Sequence, residues 1–373
     1  MQKNLQASKK TIYIIGGHVT PALSVCDELI KRGWSIYYVG RKYALEGDSA
    51  LSFEYNVVRK RGIPLRVLTT GRVPRIFSWR AFVSLFKIPL GFVQAFRYLA
   101  QDKPQLILAF GGYVAVPIVI AGWIMGIPSI THEQTFTPGL ANRLLGYFVK
   151  KVCLSWEETR KYFPKPKVVV TGTPLRTVIF EVKTAFPIDI NKPLLYITGG
   201  SLGAHSLNVE IEKILEQLLA HFSVIHQCGA AKEFKDYERL SRYKAQLPPQ
   251  LQRRYLPVEH VDEDHIGWVY KYAAALVARA GANTIAEIII LAKPTLFIPL
   301  PWSGAGEQLR NAQYLVERKA ALMLAQSAIT PNHLVNTIQT LFMQRTALEK
   351  QLKQLASLVP LTAASRIADV IES

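Results

Sequence analysis

Short runs rich in Val, Ile, Leu and Tyr alternate with longer stretches of helical periodicity along almost the whole chain. In the first half these runs predict strands over 11–16, 35–39, 64–69, 105–110, 128–132, 150–154 and 168–171. In the second half they predict strands over 194–198, 222–227, 254–258, 274–279, 294–299 and 320–325. Strands that alternate with helices join through right-handed crossovers into parallel sheets. Two such series predict an α/β protein with two Rossmann-like, doubly wound domains, whose ligands lie beyond the carboxyl ends of the strands. The polar, irregular stretch 177–192 reads as a linker between an N-terminal domain, 1–176, and a C-terminal domain, 193–357. Residues 358–373 read as a last amphipathic helix.

The uncharged stretch from Leu106 to Ile130 is long enough to cross a bilayer. Gly111, Gly112, Pro117, Gly122, Gly126 and Pro128 divide it into strand, turn, short helix, turn and strand. A buried parallel strand followed by an inward helix is also uncharged on every face, so the stretch reads as core.

Three strand-like runs close on a glycine pair: Gly16–Gly17 after TIYII, Gly111–Gly112 after LILAF, and Gly199–Gly200 after LLYIT. Such a turn lets backbone N–H groups approach an anion, and the following helix adds about 0.3–1 kcal/mol per interaction through its dipole. Two such turns in the first half and one in the second point to an enzyme that handles two phosphorylated substrates. The second-half loop, TGGSLGAHSLN, is neither a Walker A loop nor a GxGxxG fingerprint. Ser201 can donate its hydroxyl to a phosphate oxygen there; a plain tight connection is the alternative. In ARAGANTIAE, Asn283 or Thr284 is expected to cap the next helix, which puts Glu287 in the first turn. Glu287 then either complements the helix dipole or accepts from a ribose diol. Gln308 and Asn311 are spaced to share one helix face that could hold sugar hydroxyls.

Composition narrows the partners. The 373 residues are 49% hydrophobic, enough for two cores, and carry a formal net charge of +18. A basic chain of this size suits nucleic acid, an anionic membrane or polyphosphorylated ligands. No zinc finger, RNP-like motif or long Lys/Arg run is present, so nucleic acid is not expected. Cys26, Cys153 and Cys228 are far apart and form no CxxC, which favours neither a disulfide nor a metal site and fits a reducing cytosol. The opening MQKNLQASKK lacks the apolar core of a signal peptide. In the segment 72–103, Phe77, Trp79, Phe82 and Phe86 interleave with Arg75, Arg80 and Lys87. That pattern suits contact with an anionic membrane, at about 1 kcal/mol per basic residue near the surface, or an ordinary helix with a core-facing stripe.

GGH followed by Pro21, AFGGYVAVP, HEQTFTPGLANR, VTGTPLR, TGGSLGAHSLN, RAGANTIAE and EQLRNA occur in that order. In this the chain resembles the MurG family, the UDP-N-acetylglucosamine:N-acetylmuramyl-pentapeptide pyrophosphoryl-undecaprenol N-acetylglucosaminyltransferases of bacterial peptidoglycan synthesis. The resemblance runs from the first strand to the last helix. It implies a GT-B fold, two Rossmann-like domains with an interdomain cleft, and a C-terminal helix that packs back on the first domain. The second domain is then expected to bind UDP-N-acetylglucosamine. Gly200 and Ser201 would meet the diphosphate, Glu287 the ribose, and His260 and Val261 the uracil. Ala282, Asn283, Thr284, Gln308 and Asn311 would face the sugar. Arg176 would lie near the diphosphate, and Asn142 near the sugar or the interdomain face.

The resemblance assigns the first domain to lipid I, whose diphosphate would meet Gly16, Gly17, Gly111, Gly112 and Tyr113. The implied reaction is an inverting displacement in which the acceptor C4 hydroxyl attacks the anomeric carbon, UDP leaves and lipid II forms. A neutral alcohol needs a base, and histidine titrates in the useful range. His18 is the candidate with Glu133 in reserve, against a histidine that only contacts the acceptor or caps the following helix. No cofactor and no metal are implied. The expected location is the cytoplasm, peripheral on the inner face of the plasma membrane, with other cell-wall synthesis proteins as further partners. Four departures stand out: a first glycine loop three residues shorter than GGTGGHxxP, Thr135 where HEQN is usual, Glu307 in place of Gln or His, and Lys319 in place of Gly. The short loop keeps open a related enzyme with another acceptor, a UDP-sugar epimerase, or a donor-binding scaffold.

Overall fold

The computed structural model describes residues 10–43, 51–71, 79–231 and 233–373. They divide into two compact units: the described residues up to Arg176 together with Pro360–Ser373, and Thr177–Val359. In the first, β1 (Thr11–Ile15), α1 (Val19–Lys31), β2 (Ser35–Gly40), α2 (Phe53–Lys60), β3 (Leu65–Val67) and α3 (Trp79–Asp102) come first. They are followed by β4 (Leu106–Ala109), α4 (Ala115–Ile124), β5 (Ser129–Glu133), α5 (Leu140–Phe148), β6 (Lys151–Leu154) and β7 (Val168–Val170). The seven strands form one parallel sheet in the order β3-β2-β1-β4-β5-β6-β7. Its central strands are apolar on both faces because helices cover both sides, and Ile12, Ile14, Tyr13 and Ile15 are all fully buried.

The second unit runs β8 (Leu194–Thr198), α6 (His205–Lys213), α7 (Leu215–His221), β9 (Ser223–Gln227), α8 (Asp236–Gln246), α9 (Pro249–Gln252) and β10 (Tyr255–Val258). It continues with α10 (Ile266–Tyr272), β11 (Ala273–Ala278), α11 (Ala282–Leu291), β12 (Thr295–Phe297), α12 (Glu307–Glu317), β13 (Leu322–Met323) and α13 (Pro331–Leu355). Its six-stranded parallel sheet has the order β10-β9-β8-β11-β12-β13. The predicted strands are all present, displaced by no more than two residues at either end. The last helix, α14 (Ala363–Glu372), belongs to the first unit. Ile367, Ala368 and Ile371 pack with Ala22, Val25 and Leu29 of α1, while Arg32 pairs with Asp369 at 2.7 Å and Glu372 at 2.9 Å.

Leu106–Ile130 folds as the strand, helix and strand that its glycines and prolines predict. The helix is not inward on every face, however. Ala115, Ile118, Val119 and Ala121 are fully buried, but Trp123 and Ile124 at its end are 57% and 59% exposed. Among the described residues no helix is long and apolar enough to cross a membrane.

Candidate functional site

In each sheet the strand order reverses at one place, between β1 and β4 in the first unit and between β8 and β11 in the second. Connections leave in opposite directions there and open a crevice beyond the carboxyl ends of the strands. All three glycine pairs fall at these two places.

In the first unit, parallel pairing of β1 with β4 sets Gly16–Gly17 beside Gly111–Gly112. The two turns touch: a Cβ on Gly17 would lie 2.3 Å from the Gly111 carbonyl oxygen and 2.8 Å from that of Phe110. His18 follows at the N-cap position of α1, with extended backbone and no side-chain capping bond. Its half-buried ring turns Nδ1 toward the Phe110 carbonyl at 3.4 Å, and the Gln134 amide abuts the same nitrogen. Burial lowers its pKa from the ordinary histidine value, partly offset by the Phe110 carbonyl. The ring is therefore neutral near pH 7.

His132, Glu133 and Gln134 run through the end of β5. His132 is fully buried, with Nε2 3.1 Å from the Gly172 carbonyl, and burial pushes its pKa down to about 4. Glu133 is 2% exposed and its two oxygens are occupied. Oε1 accepts from the Thr135 N–H at 3.0 Å and hydroxyl at 2.8 Å, and Oε2 accepts from Asn142 Nδ2 at 2.9 Å. Burial raises its pKa, and these hydrogen bonds oppose the rise. Asn142 is also buried, donating to the His132 carbonyl at 3.1 Å and accepting from the Thr131 hydroxyl at 2.9 Å. Its amide thus holds the floor of the first unit's turns. Tyr113 is half-buried beneath the Arg41 guanidinium, 5.6 Å from the ring centre.

In the second unit the β8 loop leaves Ser201 exposed, and Gly200 has a left-handed φ of 88°. Gln227, at the end of β9, donates from Nε2 to the Gly200 carbonyl at 2.9 Å. Its Oε1 accepts from the Val261 N–H at 3.1 Å and the Tyr196 hydroxyl at 2.9 Å. Val261 is buried and His260 exposed. Glu287 is 4% exposed and accepts from the Tyr270 hydroxyl at 2.6 Å. Asn311 is buried and donates to the Ala280 carbonyl at 2.9 Å, holding the turn that leads into Ala282 and Thr284. Asn283 Oδ1 is buried with no hydrogen-bond partner. Gln308 lies at the start of α12, and its Oε1 accepts from the Leu300 N–H at 3.0 Å.

The local reading of 278–287 is corrected. Gly281, not Asn283 or Thr284, is the N-cap, and α11 starts at Ala282. Glu287 is the sixth residue of that helix, beyond the first turn, so a role as partner of the helix dipole falls away. Gly281 has the extended backbone of an N-cap residue, φ −68° and ψ 152°, and supplies no side-chain capping bond.

Arg176 is half-buried at the end of the first unit. Of the basic-aromatic segment, Arg75 and Phe77 lie outside the described residues, as do the side chains of Trp79, Arg80, Phe82 and Phe86; Lys87 is half-buried on α3. Sequence reasoning missed Gln134, Gln227, Tyr196 and Tyr270. It also missed an exposed apolar ridge on α5, where Leu140, Leu144 and Tyr147 are 80%, 44% and 72% exposed. Their i, i+4, i+7 spacing was the signal for the ridge. Trp123 at the end of α4 meets Phe148 edge-on at 5.3 Å.

Residues 15–154 match the glycosyltransferase family 28 N-terminal domain and residues 194–371 its C-terminal domain. The chain is 32% identical to the UDP-N-acetylglucosamine--N-acetylmuramyl-(pentapeptide) pyrophosphoryl-undecaprenol N-acetylglucosamine transferase of Clostridium tetani, with 98% of each chain covered. It is 34% identical to the protein of the same name from Clostridium botulinum strain Kyoto, covering 88% of this chain and 89% of that one. Its fold is similar to the crystal structure of Acinetobacter baumannii MurG, with a TM-score of 0.70, 26% identity and coverage of 97% and 99%. A Listeria monocytogenes structure described as a UDP-N-acetylglucosamine 2-epimerase superposes with a TM-score of 0.69, covering 98% of this chain and 96% of that one. At 11% identity that likeness concerns the fold alone.

Proposed function

The chain belongs to glycosyltransferase family 28, and from that premise we propose that it transfers N-acetylglucosamine from UDP-N-acetylglucosamine to lipid I, giving lipid II for peptidoglycan. The observation that carries the reading at residue level is the glycine turn at each switch point, one pair beside His18 and the other linked through Gln227, Tyr196 and Tyr270 to the buried carboxylate of Glu287.

In this mechanism the second unit holds the donor. The N–H groups of the Gly200–Ser201 turn and the Ser201 hydroxyl receive the diphosphate, and Glu287 accepts from the ribose. Gln308 and the Ala282–Thr284 turn face the sugar, with Asn311 holding that turn through Ala280. The uracil packs by His260 and Val261, and Arg176 adds positive charge near the diphosphate. Backbone donors and the helix dipole stabilise the charge that grows on departing UDP.

The first unit holds the acceptor. The paired turns Gly16–Gly17 and Gly111–Gly112, with Tyr113, meet its diphosphate. His18 takes the proton from the C4 hydroxyl as the oxygen attacks the anomeric carbon, with inversion. The base role requires the tautomer with Nδ1–H toward the Phe110 carbonyl and the lone pair on Nε2, and burial favours the unprotonated ring. Glu133, with both oxygens occupied, orders the loop through Thr135 and Asn142. The protein meets the membrane through the basic-aromatic start of α3, with Trp123 and the α5 ridge beside Arg143 and Lys150 adding apolar and cationic contact. The location that follows is the inner face of the plasma membrane.

Transfer of labelled N-acetylglucosamine to a lipid I analogue in detergent tests the reaction. Lipid II product whose rate falls with Glu287→Ala at donor concentrations below saturation is the expected result. Donor binding without product would leave the scaffold reading in its place.

A further inference from the structure

We propose that Gln227 is a positioning residue that sets the donor site's phosphate turn and ties it to the nucleoside side of the same site; the inference rests on the donor reading above. Gln227 ends β9, in register with Thr198 at the end of β8, so its side chain lies beneath the turn that follows β8. It is 4% exposed and makes three hydrogen bonds, two to β8 and its turn and one to the 260–261 segment. A buried amide so satisfied has one orientation, because any other would leave polar groups unpaired.

The bond to the Gly200 carbonyl has a consequence for chemistry. In a planar trans peptide the carbonyl and the next N–H point in opposite directions. Holding the Gly200 oxygen inward on Gln227 Nε2, and on the Gly203 N–H at 3.1 Å, therefore turns the Ser201 N–H outward. A glycine at φ 88° has access to other peptide orientations, so something must choose between them. The Gln227 amide makes the choice before ligand arrives, which removes an ordering cost from binding.

The other end of the side chain reaches the nucleoside half. Oε1 holds the Val261 N–H, fixing the peptide between His260 and Val261, and it holds the Tyr196 hydroxyl. The Tyr196 ring meets Tyr270 edge-on at 6.1 Å, and Tyr270 donates to Glu287. One neutral side chain thus links the phosphate turn, the 260–261 segment and, through two tyrosines, the ribose carboxylate.

Gln227→Glu separates the two ends. The carboxylate still accepts from Val261 and Tyr196 but cannot donate to Gly200 until it is protonated. Calorimetric titration of the full chain with UDP and with uridine, between pH 5 and pH 8, reads both ends. Relative to the unsubstituted protein at each pH, UDP affinity should fall about tenfold at pH 8 and recover as the introduced carboxyl protonates. Uridine affinity should stay within about threefold. Gln227→Met, which removes all three bonds, should weaken both ligands at every pH. UDP binding by Gln227→Glu that matches the unsubstituted protein throughout, or equal and pH-independent losses for UDP and uridine, would overturn the proposal. Ser201→Ala run alongside separates the two levels: if it leaves UDP binding untouched, the donor reading itself fails.

Discussion

The two units solve one architectural problem with opposite materials. Both are parallel, doubly wound sheets with glycine turns at the switch point. In the first, the turns pack on each other and stand next to titratable groups that burial has displaced: His18 lowered, His132 down to about 4, Glu133 raised. In the second, the turn is clamped by neutral amides, Gln227 on Gly200 and Asn311 on Ala280. Its displaced groups sit behind the turns on structural partners: His226, at about 3, between Tyr255 and Asn208, and Arg279, at about 10, on Ile298 and Gln326. Proton chemistry needs a group whose charge can change within reach of substrate. Holding a nucleotide needs dipoles that do not change at all.

The sharpest way to break this contrast is a pair of substitutions. His18→Ala should lower kcat by about 10²–10⁴-fold with UDP affinity unchanged, whereas Glu287→Ala should act mainly through the donor KM. Steady-state kinetics with both substrates varied reads the split, and a donor-affinity loss in His18→Ala would merge the two roles.

The acid limb of activity comes next. A base whose pKa is lowered is lost only as pH falls through that lowered value. The rate should therefore hold below pH 6.5, the ordinary histidine value, and then drop about tenfold per pH unit. A kcat/KM profile that breaks above pH 6.5 would exclude His18 as that base.

Glycine replacements probe the turns themselves. Gly17→Ala would drive a Cβ into backbone oxygens and should cost about 1–3 kcal/mol along with most acceptor binding. At Gly200 nothing lies within 4 Å of the methyl that alanine would add, so Gly200→Ala should cost only about 1–2 kcal/mol of left-handed strain. Thermal unfolding of the two variants ranks them.

The smallest effect is expected at Lys319, which has φ 54° just past the end of α12, where the family resemblance suggests glycine. Lys319→Gly should raise stability by up to about 1 kcal/mol, because glycine reaches that conformation without a Cβ penalty. An unchanged melting temperature would mean that the strain is offset by the lysine's own packing.

The three turns of the candidate site were legible in the sequence. Glycine pairs after apolar runs located the turns because the physical demand, close backbone approach behind a strand, has few sequence solutions. Glu287 stands out in the sequence but its place in the helix does not, since Asn283 and Thr284 are good caps and nothing local says that Gly281 starts the turn. Asn142 and Asn311 could be recognised as polar residues in the right motifs. That their amides are spent on His132, Glu133 and Ala280 depends on neighbours brought in by the fold.

By itself, the sequence determined the two parallel sheets, the three turns and the residue types that the proposed chemistry draws on. These follow from periodicity and from backbone limits that act over a few residues. Tertiary structure alone decided which strands meet where the order reverses, that Gly17 rests on Gly111, that burial lowers the pKa of His18, and that Gln227 ties the β8 turn to the 260–261 segment. Each of those depends on pairing distant strands and on removing water from around a side chain, and neither is written in any local pattern.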